Sequence, residues 1–164
     1  MEWKDVQFDL VKYRAFTQAA ASGDKERISR AEKEWRDSAL VEVPVLKSKT
    51  ASRRFVPIQD NLAAWLEPYA GWSGNVCPPN LRKLLARDRK AAGIKNWPVN
   101  ALRHSFASYH LAAFKDAAAL ALELGHTNAV LLFKHYRQLV RPESAAKYWN
   151  IRPEPQTNLI ELSA

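Results

Sequence analysis

Strand signals in this chain stop at Ile58, and every periodic segment beyond Asp60 is helical. Strands and helices segregated along a sequence in this way predict an α+β fold, mainly α-helical, with a small antiparallel β-sheet at one edge. Residues 3–8 read as a first strand, and residues 40–45 and 54–58 as two more around the basic turn Lys47-Ser48-Lys49-Thr50. Pro44 and Pro57 lack a backbone donor, so both of those strands are expected at sheet edges. A polar, Ala-rich insertion, residues 18–37, follows the first strand, and its portion 24–36, after the Ser22-Gly23 break, reads as an exposed helix.

Local punctuation places the helices. Asp60 is expected to cap one running towards Leu66, Asn80 one that ends at Gly93, and Asn100 one over residues 101–112. Residues 113–124 read as a further helix stopped by Gly125, residues 128–140 as another, and Pro142 opens a last short one to about Tyr148. The 164 residues, 47% of them apolar, are enough for one core, so residues 1–150 read as a single domain. Residues 151–164, with two prolines, read as an extended tail.

A formal net charge of +8 and a pI near 9.7 suit a polyanionic partner. No apolar run is long enough for a bilayer span, and Met1-Glu2-Trp3-Lys4-Asp5 is unlike a signal peptide, so the expectation is a soluble, cytoplasmic protein with no membrane contact. Cys77 is the sole cysteine, which rules out an internal disulfide and a cysteine-based metal cluster. Zinc and redox chemistry are set aside, and no metal or cofactor is expected.

Three short segments carry chemistry: Arg103-His104, Leu124-Gly125-His126 and His135-Tyr136-Arg137. A planar guanidinium can hold two phosphate oxygens at once, and a place just inside a helix start adds backbone N–H groups and the favourable end of the helix dipole to Arg103. Taken singly, each residue has a plainer role. Arg103 is then a surface arginine, His126 a cap or buried hydrogen-bond partner after a helix-ending glycine, and Tyr136 a core residue beside Val130, Phe133 and Leu139. The polar, basic surroundings of Tyr136, which include Lys134, argue against full burial. Tyr13, Tyr69, Tyr109 and Tyr148 lack such surroundings and read as packing residues. Arg82, Lys83, Arg87, Arg89 and Lys90 share one helix with Leu81, Leu84 and Leu85 expected inward. Such a basic face is ordinarily only solvated, and otherwise it tracks a DNA backbone with steep salt dependence and little sequence preference.

In this order and at this spacing the segments resemble the catalytic domain of the tyrosine recombinases, or phage-type integrases. The resemblance runs from about Trp3 to Val140, and the ten residues from His126 to Tyr136 fall within the family's interval. It implies the DNA breaking-rejoining fold and a site-specific recombinase that cleaves and rejoins double-stranded DNA through a 3′-phosphotyrosine. It also implies a role in DNA integration or excision of mobile genetic elements, and assembly with other recombinase subunits into tetramers that exchange carboxy-terminal tails, here around residues 158–162.

By the same resemblance Tyr136 is the nucleophile, Arg103 the phosphate clamp and His126 a hydrogen-bond donor to the phosphate. Lys49 of Lys49-Thr50, followed by Arg53 or Arg54, is the general acid for the departing 5′ oxygen. Arg53, Arg54 and Lys134 would lie along the DNA, and His104 would support the active-site helix. A tyrosine with an ordinary pKa near ~10 needs a strongly positive setting to attack phosphorus. Arg103, Lys49 and His126 supply one. Asn100 replaces a family histidine, and two readings stay open for it: a hydrogen bond to phosphate or an N-cap.

Met1-Glu2-Trp3-Lys4-Asp5-Val6 resembles the family's Leu-x-Trp-x-Asp-Val strand start, ahead of which the family carries a first arginine. No arginine precedes Trp3 here. The chain therefore reads as a fragment or truncated form whose enzymatic activity is open. The alternative is a catalytically inactive integrase remnant that only binds DNA or a partner recombinase. A plain helical interaction domain and a topoisomerase of the same chemistry are less well matched.

Overall fold

A computed structural model describes residues 1–47, 53–126 and 140–154. The fold is mixed α/β and mainly helical, with three antiparallel strands in the order β1 (Val6–Gln7), β2 (Leu40–Val43), β3 (Arg54–Pro57). Val6 pairs with Val41, and Val41 in turn with Val56, so one face carries a continuous row of β-branched side chains. β2 is the central strand, against the edge position expected from Pro44. That proline lies one residue beyond Val43, where the ladder has ended and no donor is missed. Pro57 does sit on an edge, as the last residue of β3. The expected first strand is largely replaced by a 3-10 turn, Trp3–Asp5, because the Asp5 carboxylate accepts from the Glu2 backbone N–H at 2.9 Å.

Between β1 and β2 two helices, α1 (Leu10–Ser22) and α2 (Lys25–Arg36), form a hairpin. Asp9 and Asp24 cap them, each accepting from two backbone N–H groups at 3.0–3.1 Å, contacts worth ~1 kcal/mol apiece. The first half of α1 was not expected, since the polar stretch was placed only from Gln18. Nor is α2 simply exposed. Its Trp35 is fully buried, with ring centroids 4.9 Å from Tyr13 and 5.3 Å from Phe8. These rings join Ala39, Ile58 and Ala63 in one hydrophobic cluster. Ala63 comes from α3 (Asp60–Leu66), where Gln59 rather than Asp60 holds the cap position. The Asp60 carboxylate instead meets Arg36 at 3.3 Å.

A second cluster joins α5 (Ala101–Phe114) to α6 (Ala117–Leu124) through Ala107, Leu111, Ala117, Leu120 and Ala121. The break between them falls at Lys115, with Asp116 capping the Ala119 N–H at 2.9 Å, a few residues later than the sequence suggested. α7 (Pro142–Trp149) lies against α5. Trp149 Nε1 donates to the Tyr109 carbonyl at 3.2 Å, and the Tyr109 and Tyr148 rings stack at 4.2 Å and 2°. Those two tyrosines and Tyr13 therefore pack as expected. α4 (Leu81–Ala91) has no buried residue, and Leu85, expected to face inward, is 40% exposed. No described helix is long and apolar enough to cross a membrane.

Candidate phosphate-binding site

Arg54, Arg103 and His126 meet at the carboxy-terminal turn of α6. Gly125 adopts φ +69°, a left-handed conformation that ends the helix. This turn lets the His126 N–H reach the Ala121 carbonyl at 2.8 Å and the Gly125 N–H reach Leu122 at 3.0 Å. Among the described residues, the carbonyls of Glu123 and Leu124 have no partner inside the helix. An arginine takes each. Arg54, from the start of β3, donates through Nε to Glu123 O at 3.0 Å, and Arg103, in the first turn of α5, donates through Nη2 to Leu124 O at 2.8 Å. Cations at a helix C-terminus also complement its dipole.

Arg103 Nη2 is in addition in hydrogen-bonding contact with Nε2 of His126. A guanidinium has only donors, so Nε2 must be the acceptor and the imidazole proton must sit on Nδ1. Burial and then the Arg103 charge hold the His126 pKa below the usual histidine value, which keeps the ring neutral. Arg103 and His126, 23 residues apart in sequence, are thereby brought together. Both acceptors on Arg103 lie on Nη2, so a two-point hold on a phosphate through Nη2 must displace either the imidazole or the Leu124 carbonyl.

Behind this turn α5 and α6 enclose a second histidine. His110 Nε2 lies 3.7 Å from Glu123 Oε1, too far for a good hydrogen bond, and both side chains are almost wholly buried. Burial lowers the His110 pKa, partly offset by Asp116, and burial and Asp116 both raise that of Glu123. The residue whose backbone holds Arg54 thus has a carboxyl group biased towards its neutral form.

Asn100 sits at the cap position of α5 but in a left-handed conformation, φ +57°, and its side chain makes no capping bond. The N-cap reading is therefore corrected, and the same holds for Asn80 at α4. His104 is exposed on α5 beside Arg103. Arg53 bridges to Glu42 at 2.8 Å and lies over the Phe55 ring, so much of its charge is spent within the sheet. Arg82, Lys83, Arg87 and Lys90 are exposed along α4, with Arg87 paired to Asp88 at 2.8 Å. Lys49, Lys134 and Tyr136 lie outside the described residues. Sequence reasoning placed Arg54 along DNA and missed its hold on α6. The signal available was its place five residues after Lys49, which says nothing about a partner 69 residues away.

No family model, no curated protein and no solved structure matches the chain.

Proposed function

We propose that this chain is the catalytic portion of a tyrosine-type DNA recombinase, in which Arg103 and His126 hold a scissile phosphodiester for attack by Tyr136. The observation that carries the reading is the meeting of Arg103 with His126 on the turn after α6. In the reaction Tyr136 Oη forms a bond to phosphorus and the bond to the 5′ oxygen breaks. The phenolic proton passes to solvent, and Lys49 protonates the leaving oxygen. The 3′-phosphotyrosine keeps the bond energy of the phosphodiester, so attack by a second 5′ hydroxyl rejoins the strand without ATP. Arg103 neutralises charge that grows on the phosphorane oxygens, a contact whose loss costs on the order of 3 kcal/mol, roughly a hundredfold in rate. His126, freed from Arg103 Nη2, turns a ring nitrogen to the same phosphate.

A DNA-binding remnant is the second reading. It is favoured by the fact that the bonds from Arg54 and Arg103 to the α6 carbonyls satisfy helix-end groups and need no substrate. Randomised duplexes carrying a single nick separate the two. They are incubated with the chain and resolved under denaturing conditions. A recombinase gives a denaturant-resistant protein–DNA adduct that Arg103→Ala reduces roughly a hundredfold. Salt-sensitive duplex binding with no adduct refutes cleavage and leaves the remnant.

A further inference from the structure

Arg89, Lys90, Lys95, Ile94 and Trp97 line an open cavity of about 460 Å³ at the carboxy-terminal end of α4. The Arg89 guanidinium lies 5.1 Å from the centre of the Trp97 ring, and its Nε donates to the Leu85 carbonyl at 2.9 Å, which fixes the side chain. Trp97 is still 42% exposed and Ile94 43%. Among the described residues no acidic side chain lines the cavity, and the neighbouring Asp88 is held by Arg87 at 2.8 Å. Covering the last turn of α4 would explain the contact between Arg89 and Trp97. It would not explain three cations gathered without a carboxylate around an exposed ring.

A flat apolar surface set among cations suits a ligand that is itself flat and anionic. A nucleotide with an unpaired base fits that description. A duplex hides its base faces and would offer this cavity phosphates alone, whereas single strands are bound by combining aromatic stacking with a basic surface. We propose that this cavity binds an unpaired nucleotide of single-stranded DNA, with the base stacked on Trp97 beside Arg89 and the flanking phosphates on Lys90 and Lys95. The proposal does not rest on phosphotyrosine chemistry, and its readout is equilibrium binding, so either can fail alone.

The test is fluorescence anisotropy of the full chain with a labelled eight-nucleotide single strand, a duplex of the same sequence, and inorganic polyphosphate as competitor. Trp97→Ala should weaken single-strand binding roughly 5- to 150-fold, the range expected for one stacked base, and leave duplex binding unchanged. Trp97→Phe should retain the affinity. Trp97→Leu keeps apolar bulk without a π face, so it should lose affinity in a protein that remains folded even if the alanine variant does not. Equal losses on single strand and duplex, no loss in either variant, or polyphosphate competing as well as the oligonucleotide would each overturn the proposal in favour of charge alone.

Discussion

Replacing Gly125 by alanine tests the turn that assembles the site. A non-glycine residue in the left-handed region costs about 1–2 kcal/mol from the backbone alone. A Cβ at this position would also lie 3.0 Å from Arg54 Nη1 and 3.1 Å from its Cζ, so the guanidinium must move. Moving it weakens a hydrogen bond from a charged donor to the Glu123 carbonyl, which adds about 1 kcal/mol for this half-buried side chain. The expected total is about 2–3 kcal/mol, and for a chain of this size roughly 4–12 °C in Tm. Thermal and urea unfolding of Gly125→Ala, Arg54→Met and the double variant measure it. Because the alanine already displaces Arg54, the two costs should fall short of additivity by about 1 kcal/mol. Additive costs would show that Arg54 does not pack on this turn, and a Tm within about 1 °C of the parent would refute the left-handed turn itself.

The remaining predictions concern charge, chemistry and core. Arg103→Gln removes the cation that lowers the His126 pKa, so the His126 imidazole should titrate at higher pH by NMR; an unmoved titration would refute the contact. His126 and His110 both have folded pKa values below the ordinary 6.5, so their contribution to stability is present above that pH and is lost as pH falls through it towards the folded values. Urea unfolding at a series of pH values should show this loss, and Arg103→Gln should lessen the His126 share. If Lys49 protonates the leaving oxygen, cleavage lost in Lys49→Ala should be regained on DNA whose bridging 5′ oxygen is replaced by sulfur, a leaving group that needs no proton, whereas Arg103→Ala should not be rescued. Trp35→Ala empties a fully buried site and should cost about 3–5 kcal/mol. Trp35→Phe should cost distinctly less, because it also removes an indole N–H that has no partner among the described residues. Equal costs in urea unfolding would contradict that account.

Much of the helical layout was legible because caps and stops are local. Asp24 and Gly125 fix helix ends through bonds spanning a few residues, and each residue type announces its geometry. The start of α1 was missed because its cap, Asp9, directly follows residues 3–8, whose apolar side chains suited a strand. The edge position expected for β2 failed for a different reason. Whether a strand is central depends on what pairs with its other edge, and Val6, far away in sequence, decides that. The residue type of Asn100 leaves both a cap and a phosphate contact open, and its left-handed backbone comes with no capping bond from the side chain. Within the site, the types and spacing of Arg103 and His126 suggested phosphate chemistry. Nothing local could show that Leu124 and Glu123 would present carbonyls to two arginines from other elements.

Peptide mapping of the trapped protein–DNA adduct tests the central claim most directly. Digestion with protease and nuclease, followed by mass spectrometry, should find the nucleotide remnant on the peptide containing Tyr136, and Tyr136→Phe should yield none. A remnant on another residue, or an adduct that survives in Tyr136→Phe, would contradict the assignment of the nucleophile and the recombinase reading built on it.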